Sequence, residues 1–216
     1  MINYRDVVFR PWVGSRYKDG GILGQRILVL GESHHCDEIG QDGLCQFKCH
    51  SFEKLPRCTS FTERVINDVI YNYVGTRDQQ TFICFERAIF GAVPDQKWRE
   101  DFWQSVAFYN FLQYAQSGPS RKLEQSKEGS IDAFYEVLKT LNPDKIIIWG
   151  RRLFGILPDK DREYSCIELC NGEKTDMWIY TIDGKEIPAM NVLHPCSSRG
   201  KKWAYWHQFY EQFLKK

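Results

Sequence analysis

The sequence predicts a three-layer α/β domain built on a central, mostly parallel four-stranded sheet. Three observations predict it. Four short segments, 26–30, 105–111, 145–149 and 187–193, are dominated by apolar residues, as expected of strands covered on both faces. The stretches between them carry apolar residues at helical spacing, which places helices in the connections. Strands joined by helix-bearing crossovers become parallel neighbours in one sheet.

The elements follow in order. Residues 9–24 read as loop, broken by Pro11, Gly14, Gly20, Gly21 and Gly24. Arg26–Leu30 is the first strand. Residues 32–58 form a long polar loop, of a length that in a compact domain is usually functional or stapled. Ser60 and Glu63 have capping-box spacing, and Phe61, Val65, Val69 and Tyr73 then line one helical face. A helix over 78–91 and a short amphipathic segment over 95–102 lead into the strand 105–111. A charged loop over 116–129 follows. Ser130 reads as the cap of a helix through Leu141. After the strand 145–149 comes a short helix from Arg151, a hairpin or edge addition over 163–182, the strand 187–193 and an aromatic-rich helix over 201–215.

Composition narrows the class. The chain has 216 residues, which fits a single domain, 1–216, with its own core. Apolar residues make up 43%, enough for a globular fold. No apolar run is long enough to span a bilayer, and residues 1–20 hold Arg5, Asp6, Arg10 and Lys18 with no apolar signal core. The expectation is a cytoplasmic monomer away from membranes. The net charge of +1 gives no case for nucleic acid by itself, though phosphate contacts need only a few local cations.

Eight cysteines without an export signal point to thiols or metal ligands before disulfides. Cys36, Cys45, Cys49 and Cys58 cluster in the long loop, with His50 among them. Converging soft ligands of this kind suit zinc, so zinc is the metal these residues would take. Thiols without metal are the plainer reading. Cys166 and Cys170 stand apart from the cluster.

Two turns carry the chemistry. The first strand empties into Gly31-Glu32-Ser33-His34-His35, and the last into His194-Pro195-Cys196-Ser197-Ser198. In open α/β sheets the ligand crevice lies at such C-terminal strand tips, so distant segments can share one site. Between them, Val106–Asn110 ends a strand in an amide, and Asn142-Pro143-Asp144 opens a strand that closes at Gly150. A structural turn with surface histidines remains the bland reading of the first motif, and a helix-entry histidine of the second.

These four segments, in this order over residues 22–216, resemble the uracil-DNA glycosylase-like superfamily. The resemblance implies hydrolysis of the N-glycosidic bond of a flipped uracil-type base in DNA. By that resemblance Glu32 and Ser33 would place the attacking water, Asn110 would read the base edge, and His194 would stabilise the departing base anion. Gly31, His34, His35, Ser197, Ser198 and Arg199 would contribute to substrate binding, with Arg199 or Lys201 at the inserted or phosphate-contacting position. The chain departs from the pattern at two points: Ser33 stands where several families carry Asp or Asn, and His34 replaces a proline. Two alternatives follow. One is a catalytically silent member that binds a nucleobase or nucleic acid. The other is a metal-dependent hydrolase using His34, His35 and Cys36.

Overall fold

The structure is a computed structural model; the residues it describes are 3–35, 56–73, 75, 79–115, 128–197 and 203–215, with backbone alone for Pro56, Glu128 and Ser197. Along the chain lie β1 (Trp12–Val13), β2 (Ile27–Gly31), α1 (Pro56–Thr59), α2 (Phe61–Tyr71), α3 (Gln80–Phe90), α4 (Gln96–Trp103) and β3 (Val106–Asn110). They are followed by α5 (Glu128–Leu141), β4 (Lys145–Trp149), α6 (Arg151–Ile156), β5 (Arg162–Glu168), β6 (Lys174–Ile182), β7 (Lys185–Val192) and α7 (Trp203–Leu214).

The fold is α/β, and its sheet is larger and more mixed than the four-stranded, mostly parallel one expected. Seven strands run in the order β1-β3-β2-β4-β7-β6-β5. The four expected strands are its contiguous centre, and all three pairings among them are parallel. Three antiparallel pairings are added outside, by β1 on β3 and by the β5–β6 hairpin on β7. The hairpin turns at Asp183-Gly184 into β7, with both residues at positive φ, as a tight turn between twisted strands requires. The edge strand β1 is a two-residue pairing inside a stretch dense in glycine, which hid it from pattern reading.

Strand alternation sends side chains to two cores. Leu28, Leu30, Tyr109, Ile146, Ile148 and Ala189 pack under α5 and α6. Ile27, Val29, Phe108, Ile147, Trp149 and Met190 pack under α2, α3, α4 and α7. Both faces of the central strands are therefore dry, which is why they read as continuous apolar runs.

Three local expectations are corrected. Ser60 makes no capping bond to α2, and the buried face of α2 is Thr62, Ile66, Val69 and Ile70 rather than the 61/65/69/73 stripe. Tyr73 lies beyond the helix and is exposed. Ser130 does not cap α5: it lies inside the helix, fully buried, and its Oγ accepts from the Gln113 amide at 3.1 Å. The two caps were misplaced because a polar residue beside an apolar run looks like a cap even where it makes no capping bond; the stripe was misplaced because α2 is turned to bury Thr62 and Ile66.

The two sheet edges differ. At the N-terminal edge Asp144 accepts from Arg26 (2.8 Å) and Lys185 (2.7 Å), joining the starts of β2, β4 and β7. Those ends are occupied by ion pairs. The C-terminal edge carries the turns singled out above.

Candidate functional site at the C-terminal sheet edge

From β2 the chain moves to β3 on one side, and from β3 it crosses over β2 to β4 on the other. The strand order therefore reverses between β2 and β4, and at the C-terminal tips of such a pair open α/β sheets place their ligand crevice. β2 ends in Gly31, and Gly150 follows β4 directly. The strands that flank them end in polar groups: Asn110 closes β3, and His194 follows β7 by two residues. β3 and β7 lie three strand spacings apart, about 14 Å. That span accommodates a planar heterocycle plus the reach of two side chains.

Neither glycine tolerates much addition. A Cβ on Gly31 would lie 2.1 Å from Asn110 Oδ1, so any side chain there expels the amide. Gly150 has φ +107°, a conformation open to glycine but strained for other residues. A Cβ there would sit 3.6 Å from the Cβ of His194.

Asn110 is buried and already engaged. Its Nδ2 lies 3.1 Å from His34 Nδ1, and His34 Nε2 lies 3.0 Å from Thr62 Oγ1. One tautomer satisfies both contacts: Nε2–H donates to Thr62, and Nδ1 accepts from Asn110. The imidazole is flanked by Phe9, with ring centroids 4.9 Å apart, and Phe61, at 4.6 Å. Burial pushes its pKa down to about 3, with His35 adding to the shift, so His34 is neutral at ordinary pH. An imidazole used at both nitrogens is a poor metal ligand, which weighs against a metal site built on His34, His35 and Cys36.

Glu32 is paired across the crevice. Arg152, in the first turn of α6, donates Nε to Oε2 at 2.9 Å and Nη2 to Oε1, a two-pronged fork. The carboxylate is mostly covered, whereas Arg152 is more exposed. His194 lies beside this pair and near the Trp149 ring, with centroids 6.5 Å apart. Burial lowers its pKa first, then the charge of Arg152, then His35. His194 is therefore a neutral imidazole able to donate one N–H.

The structure thus gathers Gly31, Glu32, His34, Asn110 and His194 at one sheet edge. Ser33 is half-buried and His35 exposed. Ser197 lies in the turn Pro195–Ser197, with only its backbone described. Ser198, Arg199, Lys201, Cys36, Cys45, Cys49 and His50 lie outside the described residues. Cys58, the one described member of the cysteine cluster, is buried in α1. Among the described residues no group of three or more His, Cys, Asp or Glu could hold a metal ion, so the zinc expectation rests on residues outside that set. No described helix is long and apolar enough to cross a membrane.

Sequence reasoning missed Arg152, Thr62, Phe9 and Phe61. Arg152 had a usable signal, because a residue just after the third central strand must face the turn that follows the first. The other three act through tertiary contact and left none.

No protein-family model matches the chain, and no curated protein matches it.

Proposed function

We propose that this chain is a uracil-DNA glycosylase-like protein whose strand-edge crevice takes a flipped uracil-type base from DNA and hydrolyses its N-glycosidic bond. The observation that carries the reading is the arrangement at the switch point: two central strands, one ending in Gly31 and the other followed by Gly150, flanked by Asn110 on one side and a neutral His194 on the other. A base laid over the glycines would meet the Asn110 amide at Gly31 and His194 at Gly150. Water attacks the sugar C1′, the C1′–N bond breaks, its electron pair leaves on the base, and the proton that the water gives up finally neutralises the base anion. A neutral His194 donates a hydrogen bond to the base carbonyl as that charge develops and needs no proton transfer to do so. Ser33 and Glu32 stand at the opposite turn, where the resemblance puts the water.

A second reading is favoured by two specific contacts. Glu32 is neutralised by Arg152, and Asn110 is held by His34, so neither is poised for its role until those contacts open. A member that binds a base without cleaving it would look the same. Incubating the protein in excess with single- and double-stranded uracil-containing DNA decides between them. Base release that His194→Ala lowers by roughly 10²–10³-fold supports hydrolysis. Binding with no release supports the silent module.

A further inference from the structure

The turn that carries His194 also carries a thiol that packs against α3, the helix that holds a second one. Cys196 is exposed, and its Sγ lies 2.9 Å from the Oγ1 of Thr81, in the first turn of α3. Cys84 lies one helical turn further along α3. Residues three apart on a helix share a face, with Cβ atoms about 5–6 Å apart, so Cys84 presents its side chain on the face that Cys196 already touches through Thr81. The Pro195–Ser197 turn packs against α3. Burial pushes the Cys84 thiol up, the nearby Cys196 adds to the rise, and Arg87 opposes it. Cys196, through its contact with Thr81, sits against the first turn of α3.

We infer that Cys84 and Cys196 form an oxidisable thiol pair that can cross-link the His194 turn to α3. The chemistry with hydrogen peroxide as oxidant is balanced in two steps. The exposed Cys196 thiol gives up its proton, its sulfur attacks a peroxide oxygen, the O–O bond breaks, and a sulfenic acid and hydroxide result; the hydroxide takes up that proton as the first water. Cys84 likewise gives up its proton and attacks the sulfenic sulfur, the S–O bond breaks, and the departing hydroxide takes up the proton as the second water. Two thiols are oxidised and one peroxide is reduced. The other described thiols are placed differently: Cys58 is buried in α1, Cys166 lies on β5, and Cys170 is exposed beyond it. The cross-link would fix the backbone that positions His194 against α3. This inference does not depend on which ligand the crevice takes.

The test uses the full-length, fully reduced protein, treated with hydrogen peroxide, quenched by alkylation and mapped by mass spectrometry without reduction. The expected result is a peptide pair joined through Cys84 and Cys196, lighter by two hydrogens than its reduced parts. Alkylation at both positions is lost together and returns with dithiothreitol. Cys196→Ser, at an exposed position, should abolish the joined peptide and leave Cys84 alkylatable. Cys196 found as sulfinic acid, or joined to another cysteine while Cys84 stays alkylatable, overturns the inference. The wild-type peptide map decides the matter even if Cys84→Ser fails to fold.

Discussion

Arg152 grips both carboxylate oxygens of Glu32, so a residue that follows β4 neutralises the acid that follows β2. The pair spans the point where strand order reverses, and its guanidinium helps to suppress the protonation of His194. Two of the groups that define the crevice are therefore electrically linked.

Arg152→Ala should raise the pKa of His194 towards its ordinary value, because the guanidinium is the second-largest cause of its depression after burial. His34 should not move, since its depression comes from burial and His35. Histidine titration by NMR reads both at once. A His194 that titrates the same in the variant contradicts the assignment.

His34 holds Asn110 and Thr62 together inside an aromatic clasp. His34→Ala leaves two buried polar groups unpaired and removes a buried ring, which should cost about 2–5 kcal/mol of stability in urea unfolding. Thr62→Val removes one hydrogen bond at similar volume and should cost about 1–2 kcal/mol. Equal and negligible losses would mean that the clasp is slack.

Acid should loosen the fold through the same residues. His34 and His194 titrate below the ordinary histidine value in the folded chain, so the unfolded state binds more protons as pH falls below about 6.5. Stability is then complete near neutral pH and is lost progressively towards pH 3, at up to about 1.4 kcal/mol per pH unit from His34 alone. Urea midpoints across this range should fall for the wild type, and the fall should be shallower in His34→Gln. Parallel curves for the two proteins would contradict it.

Away from the crevice, Glu86 is wholly buried and accepts from Arg99 Nε at 3.0 Å and from Trp103 Nε1 at 2.9 Å. Its pKa is raised by burial, against the pull of Trp103 and Arg99. Arg99→Met strands that carboxylate and should cost about 3–5 kcal/mol, while the double variant Glu86→Gln/Arg99→Met should recover part of the loss. A double variant no more stable than the single one would show that the charge is not what the arginine relieves.

The four central strands were legible because burial on both faces leaves an apolar run that no solvent-facing alternation interrupts. Gly31, Asn110 and His194 were legible for a related reason: each ends or follows such a run, so its place at the sheet edge comes with the strand. The outer strands were harder. Trp12–Val13 pairs for only two residues, and the 162–182 hairpin has a half-exposed pattern that does not say on which strand it docks. Of the partners of the site residues, only Arg152 left a signal, through its place just after a central strand. Nothing in the spacing of His34, Thr62 and Asn110 announces a contact, because it depends on how helices settle on the sheet. The 61/65/69/73 stripe failed for the same cause: α2 is turned so that Thr62, rather than Phe61, sits deepest.

The most direct measurement is base release from uracil-containing DNA under single-turnover conditions, with enzyme in excess, for the wild type, His194→Ala and Ser33→Asp. The account predicts release by the wild type, a loss of roughly 10²–10³-fold in His194→Ala with DNA binding largely retained, and faster release in Ser33→Asp, where a carboxylate joins the water side. No release from the wild type and none from Ser33→Asp, in proteins that remain folded, would contradict hydrolysis and leave the crevice as a binding site alone.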